Sequence, residues 1–325
     1  MSTTVEETTT NTIADDTVVG LSPAKIAFRR FRRDPIGIVS LSIIVLLLTI
    51  VCLAAPICAW LKVDPLSGHQ ELLDGFNMPI GAFGGMSAAH PLGVEPVLGR
   101  DLLSRLLFGA QISFTVSFVT TFLTIFFGVI VGIVAGYKGG RTDAVIGRVI
   151  DFLMAFPGFF MILALSQPAV TRARAMGLTD DTIARVVVLV IFLVFFGWTG
   201  MARLIRGQVL SLRERDFIAA AEAVGAPTRR IVFKEMLPNL WPPIIIFASN
   251  ALPGFLSAEA AFSFLGIGVQ PPAATWGSLL AAGVDYWDHD PSFFWIPGIL
   301  LFITVLAFNL FGDSLRDALD PKSSK

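Results

Sequence analysis

An all-α integral membrane protein with six transmembrane helices is the fold class this sequence predicts, and three observations carry it. Only 15% of the 325 residues are charged while 54% are apolar, against roughly 25% charged in an ordinary soluble domain. Mean hydropathy is +0.73. Stretches free of Asp, Glu, Lys and Arg recur at the length of about 20 residues needed to cross a bilayer. A soluble chain of this size buries at most about 75% of its surface, too little to hide that composition. A disordered chain and a water-soluble enzyme are excluded, and a net charge of −1 offers nothing to nucleic acid.

The chain opens on a polar, Thr-rich tail (1–24) and the cluster Arg29, Arg30, Arg32 and Arg33, read as a topogenic and lipid-headgroup anchor. Pro35 to Leu61 is then uncharged for 27 positions. A signal peptide's apolar region is about 7–15 residues, so this run is a membrane anchor. Cys52 and Cys58 within it read as buried small residues, not a disulfide. Further spans are expected at Leu106–Tyr137, Phe152–Val170, Val186–Ala202, Met236–Ala258 and Phe293–Gly312, the fourth short enough to borrow from its flanks. Another uncharged run, Ala260 to Val284, is broken by Gly266, Gly268, Pro271, Pro272 and Gly277. Glycine and proline at that density break a spanning helix, so it reads as re-entrant or interfacial. Gly128, Gly132 and Gly136 form a small-xxx-small series for close helix approach, inside the chain or between subunits.

Basic residues orient the chain. Segments 1–34, 138–151, 203–235 and 313–325 hold 18 of the 24 Lys and Arg, which assigns them, and both termini, to the cytoplasm. The organisation is then a tail (1–24), a basic segment with the first span and an outer loop (25–105), a membrane core (106–312) and a C-terminal tail (313–325).

Catalytic chemistry is sparse. His289 lies among Asp285, Asp288 and Asp290, but Pro291 follows and a solvated outer turn outweighs a metal site. No lysine is preceded by glycine, so no phosphate loop exists. Energy for pumping must come from another protein. The loop able to receive it is 203–235, the most basic. Asp216–Val224 favours helix with four alanines, Gly225 suits a left-handed stop, and Pro227 suits the first turn of a second helix. Two short helices hinged at a glycine make a compact knob, although an ordinary helical connector fits equally well.

This arrangement resembles the EAA loop of ABC-importer permeases, Glu-Ala-Ala-x₃-Gly-x₉-Ile-x-Leu-Pro. Ala220, Ala221, Gly225, Leu237 and Pro238 match; Ala219 stands at the glutamate position and Glu235 at the isoleucine position. Glu259–Pro272 with Trp276-Gly277 resembles the Glu-Ala-x-Leu-Ser-Phe-Leu-Gly-x-Gly-x-x-Pro-Pro signature of oligopeptide/dipeptide permeases, with Phe262 for leucine. Gly312–Pro321 is similar to that family's Gly-Asp-x-Leu-Arg-Asp-x-Leu-Asp-Pro. Leu98–Leu106 is similar to its Leu-Gly-Arg-Asp-x-x-Ser-Arg-Leu. The resemblance, from about residue 25 onward, is to the C-type subunit.

It implies a type I ABC importer permease fold and a non-catalytic subunit of a bacterial inner-membrane importer. The implied partners are a B-type permease, two ABC ATPase subunits that bind ATP and Mg, an extracytoplasmic solute-binding protein and the lipid bilayer. Ala219, Ala220, Ala221, Glu222, Gly225, Ala226, Pro227, Arg229 and Arg230 would dock the ATPase. Phe262, Phe264, Gln270 and Trp276 would line or gate the path, unless that segment is a plug contacting a partner. Oligopeptides or dipeptides are the expected cargo. Nickel, glutathione or haem fit the same architecture, and a passive channel or scaffold is the alternative of another class.

Overall fold

The computed structural model describes residues 23–320; the tail before residue 23 and residues 321–325, with Pro321 of the C-terminal signature, lie outside them. Among the described residues there are helices and three isolated β-bridges but no strand.

Helix α1 (Pro23–Phe31) leads into α2 (Pro35–Cys52), whose N-terminus Asp34 caps by accepting from the Ile36 amide at 3.0 Å. Pro35 fits the first turn, where no N–H is needed. The α1 backbone turns the basic cluster onto the far end of the chain. Arg30 Nη1 donates to the Asp320 carbonyl at 2.7 Å, and the Phe31 ring meets Phe311 edge-on at 5.8 Å. After Leu53 the first apolar run continues as α3 (Ala54–Leu61). Cys58 is buried there, whereas Cys52 is exposed, contrary to the expectation that both are buried. Helical spacing puts the two on different faces, and only one face packs.

Two long helices form the spine. Helix α4 (Leu102–Lys138) is capped by Asp101, which accepts from the Ser104 amide at 2.7 Å. Helix α7 (Asp181–Arg213) overruns the short span Val186–Ala202 at both ends, as its flanks allowed. They pack along the glycine series. A Cβ on Gly132 would sit 2.7 Å from the Ala202 carbonyl and 2.8 Å from Ile205 Cβ, and one on Gly136 2.8 Å from Val209 Cβ. The partner the glycines admit is therefore an internal helix.

The third span is corrected. Phe152–Val170 straddles a break, with α5 (Gly140–Ala155) and α6 (Gly158–Ala175) bent 81° to one another. Phe156, which precedes Pro157, is extended (φ −75°, ψ 136°), because the proline ring disfavours helical backbone at the residue before it. Helix α5 instead turns its acids onto α7: Arg206 Nη2 donates to Asp143 at 2.7 Å and Arg203 Nη2 to Asp151 at 2.6 Å. Five helices are long and apolar enough to cross a membrane, or six if the bent pair counts as one broken span.

The fifth span is also longer than expected. α9 (Thr228–Arg230), a π-helical turn (Ile231–Met236) and α10 (Leu237–Phe264) form one continuous stretch, Thr228–Phe264. The run Ala260–Val284 thus divides into the end of α10, an irregular stretch to Thr275, and α11 (Trp276–Val284). Helix α12 (Ser292–Leu319) closes the bundle and carries residues 313–319 as helix.

Opposite the α7–α10 connection, segment 62–101 is fastened by charge. Glu95 pairs with Arg100 and, at 3.0 Å, with Arg105, while His90 Nδ1 lies 2.9 Å from Asp101. Arg105 Nη1 also reaches the carbonyls of Pro65 at 3.4 Å and Pro272 at 3.3 Å. From Gly99 onward the Leu98–Leu106 signature is a largely buried clamp joining this segment to the stretch after α10.

Candidate functional site

Between α7 and Thr228 the chain builds a knob on helix α8 (Asp216–Ala223). Asp216 in its first turn complements the positive end of the helix dipole. The stop is a complete Schellman motif: the Ala226 amide bonds to the Ala221 carbonyl at 3.0 Å and the Gly225 amide to Glu222 at 2.9 Å. Gly225 supplies the left-handed backbone this requires, at φ +74°. Pro227 lies one position before the helix it was expected to begin, as an extended N-cap (φ −67°, ψ 148°).

Apolar anchors fix the knob to the bundle. Ile218 is fully buried and Ile231 nearly so, in a cluster with Met201, Ile205, Val209, Met236 and Leu240. Ala221 and Ala226, the two residues tied by the Schellman bond, pack against the same cluster. Arg213 Nη1 donates to the carbonyls of Tyr137 at 3.1 Å and Gly136 at 3.3 Å, which ties the end of α7 to the end of α4. The outward face carries Ala219, Ala220, Glu222, Gly225, Pro227, Arg229 and Arg230, all exposed.

Sequence reasoning missed the apolar tips of this face. Val224 is 84% exposed, Phe233 60% and Phe217 41%. Arg229, Arg230, Phe233 and Lys234 flank a shallow groove beside Pro227. Exposed apolar groups rimmed by charge are a general feature of surfaces that contact a protein or a membrane. The signal available was the six large apolar residues Phe217, Ile218, Val224, Ile231, Val232 and Phe233 between Asp216 and Lys234, more than two short helices need as anchors.

The four expected path residues do not converge. Phe262 is 2% exposed and stacks on Phe159 of α6 at 5.0 Å between ring centroids. Trp276 is equally buried; its indole Nε1 donates to the Leu106 carbonyl at 3.1 Å and its ring meets Phe114 edge-on at 5.6 Å. Phe264 is exposed and Gln270 half-buried. Within this chain Trp276 and Phe262 are packing residues.

A bundle of long apolar helices with one anchored knob between two of them defines a multi-pass helical membrane protein. The chain belongs to the family described as "binding-protein-dependent transport system inner membrane component", whose model matches residues 128–325; residues 22–73 match "N-terminal TM domain of oligopeptide transport permease C". It is a multi-pass permease subunit of an ABC importer, a membrane component that works with ATPase partners. The oligopeptide transport system permease protein OppC of Escherichia coli (strain K12) is 35% identical over 94% of this chain and 93% of its own. OppC of Bacillus subtilis (strain 168) is 33% identical over 94% and 92%. The glutathione transport system permease protein GsiD of E. coli O6:K15:H31 is 34% identical over 91% and 89%. Among solved structures, an inward-facing MetNI methionine ABC transporter aligns with TM-score 0.51 at 18% identity, over 66% of this chain and 96% of that one. That likeness establishes the type I importer permease fold.

Proposed function

We propose that this chain is the C-type half of a heterodimeric permease that imports short peptides across a bacterial inner membrane. Both termini and the knob face the cytoplasm, where 18 of 24 basic residues lie. Two ATPase subunits bind ATP and Mg and receive the knob; this chain performs no chemistry itself. A B-type permease completes the path, and an extracytoplasmic solute-binding protein delivers cargo at the 62–101 end. A peptide cargo accords with the OppC relatives, and glutathione, the cargo named for GsiD, is itself a tripeptide.

One observation carries the coupling role: the knob is continuous with a spanning helix. Residues Thr228–Phe264 form one helical stretch that carries a π turn and Pro242, Pro243 and Pro253 in its interior, so force on Arg229 or Arg230 reaches α10 with no loop between them. Closure of an ATPase pair around such a knob would tilt the attached spans and alternate access to the path.

Cysteine cross-linking tests this reading. A cysteine at Ala220 or Glu222 should cross-link to a co-expressed ATPase subunit, with nucleotide-dependent yield. A cysteine at Leu66, on the opposite end, should not. Labelled di- or oligopeptide uptake should require all four subunits and the binding protein. Absence of any cross-link from both knob positions in an assembled complex overturns the docking role.

A further inference from the structure

One ionisable side chain lies deep in the bundle without a role so far. Glu259 sits on α10, fully buried, and none of the ion pairs among the described residues includes it. An ionisable group inside a spanning segment is costly, which makes it a functional candidate by default. Its surroundings are built for it. Ser263, one turn on, donates its hydroxyl to Glu259 Oε1 at 2.7 Å. Ser113 on α4 and Thr275 are the other hydroxyl residues acting on this carboxyl; both are wholly buried, neither makes an aligned hydrogen bond to it, and Ser113 Oγ has no partner elsewhere.

Thr275 is the N-cap of α11: its Oγ1 accepts from the Ser278 amide at 3.3 Å, leaving its own proton for Glu259. The backbone after α10 presses directly on the carboxyl's neighbours. A Cβ on Gly277 would collide with the Ala260 backbone, and one on Gly268 with Ser263. Three elements, α4, α10 and the 265–278 stretch, therefore meet at one carboxyl. Oε2 has no donor in good geometry, so the junction has unused acceptor capacity when its neighbours shift.

We propose that Glu259 is a positioning residue for transport. It locks the 265–278 stretch to the end of the rod whose other end is the knob, so that a push at the knob moves that stretch. Thr228 and Glu259 are 31 residues apart on the Thr228–Phe264 stretch, at most about 46 Å at 1.5 Å per residue. Without the carboxyl, α10 still tilts but the stretch it should carry lags behind. The proposal rests on the coupling role given to the knob.

The test uses the full complex in proteoliposomes, with a single cysteine at exposed Leu265 as reporter, after Cys52 and Cys58 are replaced by serine and alanine. In the otherwise native chain its labelling rate by a membrane-impermeant maleimide should change at least threefold between nucleotide-free and vanadate-trapped states. Glu259→Leu, close in volume, should abolish that change and lower uptake at least tenfold, while basal ATP hydrolysis and co-purification stay within twofold. Glu259→Gln, which keeps an acceptor oxygen, should restore both to within threefold. If Glu259→Leu does not assemble, Thr275→Val and Ser263→Ala, each removing one donor, should reduce the labelling change in assembled complex. Unaltered nucleotide-dependent labelling in Glu259→Leu, or in both donor variants, overturns the proposal. No labelling change in the native chain would instead remove the coupling reading beneath it.

Discussion

Replacing Gly225 with valine separates a coupling hinge from a mere connector. At φ +74° the position is left-handed, and a Cβ built there meets nothing within 4 Å. The penalty is thus conformational alone. A non-glycine residue in that region costs about 1–2 kcal/mol, and a β-branched one lies at or above the top of that range. At 1.4 kcal/mol per factor of ten, about 2 kcal/mol depletes the Schellman-stopped knob roughly 30-fold relative to its unstopped forms. Because no neighbour is struck, the bundle should fold and insert normally. Gly132→Val is the contrasting control, since its Cβ would lie 2.7 Å from the Ala202 carbonyl; that variant should lose folded permease altogether. The assay is binding-protein-stimulated ATP hydrolysis and peptide uptake in proteoliposomes, normalised to assembled complex. Gly225→Val should reduce both at least tenfold with unchanged permease content. Full stimulation and uptake in that variant would refute the hinge.

Two further outcomes follow from the packing. Ile218→Ala should detach α8 from its fully buried seat at a cost of about 2–5 kcal/mol; hydrogen exchange should rise across Asp216–Ala223 but not in α4, and stimulated ATP hydrolysis should fall. Arg105→Ala should leave Glu95 with Arg100 alone and release the Pro65 and Pro272 carbonyls, costing at most the roughly 3–5 kcal/mol of a fully broken buried pair; thermal melting in detergent should drop, while Arg105→Lys, which lacks the planar fork, should recover only part.

Much of the fold was legible in the sequence because water and lipid act on composition. The charge-free runs gave the spans, and the alanines with Gly225 gave a helix and its stop. Where reading failed, the cause was contact at a distance. The bend at Phe156–Pro157 was hidden inside a run that looks continuously apolar from Phe152. The second knob helix appeared separate because Pro238 reads as a boundary, yet in the structure a widened π turn precedes it and the helix runs on. Trp276 and Phe262 read as path residues from an uncharged outward stretch of aromatic rings and Pro-Pro; the burial that α4 and α6 give them within this chain was not visible there.

The sequence alone determined that this protein lives in a membrane, roughly where most of its spans lie, and where a left-handed stop must fall, since solvent transfer and backbone sterics depend on residues and near neighbours. Only the tertiary structure decided that the glycine series meets α7, that Ile218 seats the knob, and that Ser113, Ser263 and Thr275 surround Glu259. Those facts depend on residues up to 162 positions apart, and no local pattern encodes which distant surface a helix will find.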